Sequence, residues 1–139
     1  MSFLSAHGES KVKRAHLLFA VLALGSLAVG GCAVPVQQHP AGEMQPAPSA
    51  KQFRVLEETA VTLSTGYRTR IRAGTTWTLA GTIAKGEVYK SREQVLTVEG
   101  YHVHEAYLVV SGDELVGFYL PVEHNFAPIS PAKHLRIER

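Results

Sequence analysis

From residue 53 onward, apolar and polar side chains alternate with a period of two over short runs, the pattern of half-buried β-strands. Val61 and Leu63 take one parity, Thr62 and Ser64 the other. After a break at Thr65-Gly66, Tyr67, Thr69 and Ile71 alternate with Arg68, Arg70 and Arg72. Two such runs joined by a short glycine-bearing turn predict a hairpin. Ala73-Gly74 supplies the next turn, and Thr75 to Ala80 reads as a third strand with Trp77 and Leu79 on one face, punctuated by Gly81. Further strands are expected over Gly86 to Tyr89, Gln94 to Glu99 and Tyr101 to Val110. The tight-turn sequence Ser111-Gly112-Asp113 then returns the chain antiparallel over Glu114 to Leu120, with Gly117 as a bulge and Pro121 as the stop.

Nowhere does a period near 3.6 persist for a helix of ordinary length; the best candidate is a single turn around Ser91 to Gln94. The expected fold is therefore mainly β, with six or seven short strands in a small antiparallel barrel or sandwich of SH3-like or OB-like size. Closure of such a sheet removes exposed edges. The domain, residues 53–139, lies near the lower end of usual domain size and has room for one core. No disulfide can reinforce it, because Cys32 is the only cysteine.

The first part of the chain follows a different pattern. Lys11, Lys13 and Arg14 precede an apolar run from Leu17 to Val29, and small residues then lead to the cysteine as Val29-Gly30-Gly31-Cys32. This resembles the lipobox of bacterial lipoproteins. The run is shorter than the about 20 apolar residues that span a bilayer and dissolves into Gly25-Ser26 and Gly30-Gly31, so it suits a signal segment better than a transmembrane helix. The resemblance implies cleavage before Cys32, diacylglyceration of its sulfur and acylation of the new amino terminus, with residues 1–31 as the signal peptide. In Gram-negative members of that family an acidic residue after the cysteine favours retention in the inner membrane. Ala33 stands there, which implies the outer membrane with the domain facing the periplasm.

Residues 32–52 read as the lipidated cysteine and a tether, with Pro35, Pro40, Pro46 and Pro48 among Gln, Ala, Gly and Ser and almost no apolar periodicity. Such a segment would reach roughly 60 Å if extended as polyproline II and nearer 25 Å as a flexible coil. His39 within it is expected to be solvated.

Charge changes the picture once it is divided along the chain. The formal net charge is +2. Residues 1–31 hold three basic side chains against one acidic, whereas the remainder holds eleven of each, so the mature protein carries no net charge. A neutral domain lacks the electrostatic footprint of a nucleic-acid binder. The inventory also lacks a Gly-x-Ser-x-Gly elbow, a cysteine nucleophile in the domain and a glycine-rich phosphate loop. Neither an enzyme nor a cofactor is expected.

Three groups remain as candidate sites. In Tyr101-His102-Val103-His104-Glu105 the two histidines share a strand face, and two imidazoles so placed can chelate a transition metal; His124, beside Glu123 after the next strand, is the candidate third ligand. A solvated strand carries the same pattern without any metal. Arg68, Arg70 and Arg72 form a basic stripe suited to phosphates or carboxylates, although Glu57, Glu58, Glu87 or Glu99 can neutralise it across strands. The run Val116 to Pro121 followed by Phe126-Ala127-Pro128 points aromatics to both faces and is similar to the tails of uncharacterised proteobacterial lipoproteins, a resemblance that implies no activity. The reading that follows is a lipid-anchored envelope protein whose β domain binds or positions an envelope protein partner, with a metal or anionic ligand as the alternative.

Overall fold

The computed structural model describes residues 31–139; the basic and apolar signal segment and the first two residues of the lipobox lie outside it. The chain divides after Cys32, and everything from Ala33 onward forms one unit. Among the described residues there is no α-helix, and the turn expected at Ser91 to Gln94 is a bend.

Twelve strands follow in order: β1 (His39–Pro40), β2 (Gln45–Pro46), β3 (Gln52–Val55), β4 (Thr59–Thr62), β5 (Arg68–Ile71), β6 (Thr76–Ile83), β7 (Gly86–Lys90), β8 (Leu96–Glu99), β9 (Val103–Ser111), β10 (Glu114–Leu120), β11 (Asn125–His134) and β12 (Ile137–Glu138). Ten belong to one antiparallel sheet running β1-β11-β10-β9-β7-β6-β3-β12, with β2 added to β6 and β8 to β9. β4 and β5 form a separate hairpin. The fold is thus antiparallel and all-β as expected, but the sheet does not close on itself as a barrel would.

Strand β9 explains the architecture. Its first half pairs with β8, from Val103 opposite Glu99 to Ala106 opposite Leu96, and its second half pairs with β7, from Leu108 opposite Tyr89 to Val110 opposite Glu87. The strand leaves one neighbour for another and so carries β8 away from the main path. The β4–β5 hairpin shares a core with the large sheet: Val61, Leu63 and Ile71 are buried among Phe53, Val55, Trp77, Leu79, Tyr89, Leu96, Val98, Ala106, Leu108, Phe118 and Leu120. The even-numbered residues of β9 fill this core, which is what the alternation of period two requires. Phe53 and Tyr89 meet with ring centroids 4.7 Å apart.

The opposite face of the sheet carries a second, smaller cluster of Val88, Val109, Tyr119 and Phe126. A sheet with apolar side chains on both faces needs cover on both. The expected tether supplies it. Residues 33–51 do not run free but form a strap: Val36 is buried in the main core, His39–Pro40 pairs with Phe126 and Asn125, Ala41 and Met44 pack on the second cluster, and Gln45–Pro46 pairs with Thr82 and Gly81. Polar pins fix its two ends. Gln38 Oε1 accepts from Asn125 Nδ2 at 3.0 Å, and the Lys51 carbonyl accepts from the Leu79 amide at 2.8 Å. Proline is tolerated in these two-residue edge pairings, where few amide donors are needed.

Two other expectations change. Gly81 does not end the third strand; β6 continues through it to Ile83, with the register shift between Leu79 and Gly81 and the strap pressed against the glycine. The expected strands end at Pro121, but a further one, β11, follows it and, although Pro128 and Pro131 interrupt its pattern, pairs with β10 along most of its length. The bulge expected near Gly117 is present, the register slipping between Leu115 and Gly117.

Candidate functional site

The histidines converge on one end of the sheet, where β8 and β10 finish and β9 and β11 begin, but not on one another. His104 lies on the inward parity of β9 with its side chain 10% exposed, and its Nδ1 is hydrogen-bonded to Glu123 Oε1 from the turn after β10. The second oxygen of that carboxylate, Oε2, is buried and has no hydrogen-bond partner. His102 precedes β9 and is exposed, its ring edge-on to that of His104 at 6.3 Å between centroids. His124 adopts a left-handed backbone at φ 55° and turns its Nδ1 to the Tyr119 hydroxyl at 3.3 Å. That conformation is costly for a residue with a Cβ and is held here by the turn, whose His124 carbonyl accepts from the Ala41 amide of the strap at 3.1 Å.

His102, His104 and His124 therefore do not form the expected metal-ligand trio. Among the described residues no group of three or more His, Cys, Asp or Glu side chains is placed to hold a metal. The reason is local: the strand parity that brings His102 and His104 together aims His104 at Glu123, while the left-handed turn sends His124 to Tyr119. Glu123, which the sequence marks only as a neighbour of His124, is the residue that links this turn to β9.

Tyr119 continues outward into a small aromatic group. Its ring centroid stands 6.4 Å from that of Tyr107, and the Lys90 ammonium lies 5.8 Å from the Tyr107 centroid. The Tyr107 hydroxyl is pushed above the ordinary phenol range, first by burial and then by the charges of Glu105 and Tyr119.

The arginine stripe is present as expected, with Arg68, Arg70 and Arg72 all exposed on the hairpin. It is partly occupied by the protein itself. Arg70 Nη1 lies 3.8 Å from Glu58 Oε1, and Arg72 Nη2 donates to the Glu93 carbonyl at 2.5 Å. Beside it Gln94 treats β5 as a neighbouring strand would: its Oε1 accepts from the Arg72 amide at 3.0 Å and its Nε2 donates to the Arg70 carbonyl at 2.7 Å.

Away from the histidines, an open groove of about 360 Å³ is lined by Thr76, Thr78, Leu79, Ala80, Lys90, Arg92 and Glu93. Its carboxylate is already engaged, Glu93 Oε2 accepting from the Thr76 amide at 2.5 Å. The groove sits at the low end of ligand-pocket volumes and brings no nucleophile and base together. Sequence reasoning does not find it, because its residues come from two strands and a loop and belong to no motif.

Cys32 is exposed with a free thiol. Among the described residues no helix is long and apolar enough to cross a membrane. No protein-family model matches the chain, and neither a curated protein nor a solved structure matches it.

Proposed function

We propose that this protein is a lipid-anchored lipoprotein of the bacterial cell envelope, and that its β domain is a non-catalytic module that binds or positions an envelope protein partner. The observation that carries the reading is the continuity between the lipobox cysteine and the strap. Four residues after Cys32 the chain enters the core at Val36, and it is then tied to the sheet at His39 to Ala41, at Gln45–Pro46 and at Lys51. A domain whose amino-terminal lead is built into both faces of its sheet is suited to being held by that lead. Ala33 after the cysteine favours the outer membrane, with the domain in the periplasm.

Each buried methylene is worth about 0.8 kcal/mol, and a single acyl chain holds only reversibly, so the multi-chain anchor of a lipoprotein makes attachment effectively permanent. The anchor sets where the domain works, and the strap sets how far it reaches. With Val36 fixed, the chain between Cys32 and the domain spans at most about 14 Å, far less than a free tether of residues 32–52 would allow.

The test is a Cys32→Ser variant followed by membrane fractionation and mass spectrometry of the amino-terminal peptide. Loss of the lipid mass and of membrane association is expected; a variant that stays membrane-bound at the native level overturns the anchor. Crosslinking of the lipidated protein in cells and recovery of one partner above a control carrying only the anchor and residues 33–51 tests the second half.

A further inference from the structure

Resting on the anchored reading, we infer that the sheet end carrying Tyr101, Val103, Val122 and Val34 is a membrane-contact collar that seats the domain on the lipid surface holding its anchor. These residues are among the few large apolar side chains that the domain leaves in solvent, at 66%, 65%, 77% and 55% exposure. They are not scattered. Gly100 is approached so closely by the strap that a Cβ there would stand 2.8 Å from both the Val34 carbonyl oxygen and the Val36 nitrogen, which puts Val34 against the residue preceding Tyr101. The rings of Tyr101, His102 and His104 follow one another at 6.5 and 6.3 Å between centroids. The His104–Glu123 hydrogen bond then draws the turn bearing Val122 alongside the start of β9.

The length of chain decides the occupant. Only residues 33–35 separate Cys32 from buried Val36, so this end of the domain is held within about 14 Å of the acylated residue. The headgroup layer of one leaflet is itself several ångströms deep, about 5–7 Å. An apolar surface fixed at that height meets lipid before it meets another macromolecule. Tyrosine, with an apolar ring and a polar tip, is a side chain that settles at this depth. The residues from Glu99 to Glu105 include no lysine or arginine, so apolar insertion is the attraction and a zwitterionic surface suffices.

The experiment uses the full-length lipidated protein reconstituted into vesicles of phosphatidylethanolamine and phosphatidylcholine with brominated acyl chains. The native chain, whose Trp77 is buried, gives the background. Tyr101→Trp is compared with Val95→Trp, a still more exposed position at the other end of β8. The expected result is blue-shifted emission and strong bromolipid quenching for Y101W, with V95W quenched no more than the native chain. Equal quenching of the two, in protein whose amino-terminal peptide carries the lipid mass, overturns the collar and leaves the anchor standing. Blue-shifted emission of Y101W without quenching, together with a dimer mass, overturns it in favour of contact between two copies. Absence of the lipid mass removes the anchor and the collar together.

Discussion

Gly81 of β6 runs directly beneath Met44 of the strap: a Cβ at Gly81 would stand 2.6 Å from Met44 Cγ and still closer to the Gln45 carbonyl. The glycine is there for close approach and not to end a strand. Through it a proline-rich segment with the composition of a linker becomes a layer of the fold, covering the cluster of Val88, Val109, Tyr119 and Phe126.

Substituting Gly81→Ala is therefore expected to lift the strap at its second pairing point. Overpacking of this kind costs about 1–3 kcal/mol. The more specific readout is local: residues 41–51 become cleavable by protease under conditions in which the native protein is resistant, and the exchange protection of the Leu79 amide, which donates to the Lys51 carbonyl, falls with it. Unchanged protease resistance of the strap in G81A contradicts the close contact.

The His104–Glu123 pair is expected to be asymmetric on mutation. His104→Ala leaves both Glu123 oxygens without a protein partner in a half-buried setting, since Oε2 has none already. Leaving a buried acceptor unsatisfied costs about 1–3 kcal/mol. Replacing both residues, as His104→Leu with Glu123→Leu, removes the polar groups altogether and is expected to recover much of that loss. Chemical denaturation of the two single variants and the double variant measures the difference. A double variant as unstable as H104A shows that packing of the imidazole, not the carboxylate, dominates at this site.

At the other end of the strap, Lys51 Nζ lies 2.7 Å from Glu87 Oε1, and the Tyr89 hydroxyl donates to Glu87 Oε2 at 2.6 Å. Burial pushes the Glu87 carboxyl upward, but the bonds from Lys51 and Tyr89 and the Lys51 charge outweigh it and hold the group below its ordinary 4.5. The carboxyl thus binds its proton less readily in the folded protein than in the unfolded chain. The stabilisation is present in full above the unfolded value and is lost as pH falls through the folded one. Lys51→Met should reduce stability near pH 7 by about 0.2–1 kcal/mol, the range of exposed pairs. The gap to the native protein should close as the solution is taken below the carboxylate range, as thermal melts across that pH series would show. A gap that persists in acid would trace instead to lost contacts of the lysine stem.

The strands that the sequence reveals most directly are those whose two faces differ in polarity. The β4–β5 hairpin, with Val61 and Ile71 inward and the arginines outward, can be read because one buried face imposes the alternation, whereas the β9–β10 hairpin, buried on both faces over Leu108 to Val110 and Gly117 to Leu120, is marked by its tight turn at Gly112. Strand β11 and the strap are hidden for a related reason. The prolines at 128 and 131 break the pattern, and the strap makes its apolar contacts through Val36, Ala41 and Met44, spaced too irregularly to register as any period. At the candidate site, parity places His102 and His104 on one side, but the third member depends on the backbone of a turn. The left-handed conformation at His124 is set by tertiary bonds to the strap, which no local pattern encodes.

Gln94 gives the sharpest test of how the small hairpin is held to the rest of the domain. Its single amide group satisfies the Arg72 N–H and the Arg70 carbonyl of β5, the two groups that a paired strand would have engaged, and it does so from the segment leading into β8. Beyond it the hairpin reaches β8 from the residue before β5, where the Tyr67 hydroxyl lies 3.3 Å from Thr97 Oγ1. The amide needs both its donor and its acceptor, so Gln94→Glu keeps the size and the acceptor but loses the donor and sets a carboxylate against a carbonyl. Loss of one such hydrogen bond costs about 0.5–1.5 kcal/mol, and Gln94→Ala, which removes both, about twice as much. Amide exchange separates this from a general loss of stability. In Q94A the Arg72 amide should exchange faster by more than the global destabilisation accounts for, while the Leu63 amide, bonded to the Tyr67 carbonyl within the hairpin, should follow the global change alone. If both amides accelerate together, the hairpin is held by its share of the core at Val61 and Ile71, and the glutamine only decorates its edge.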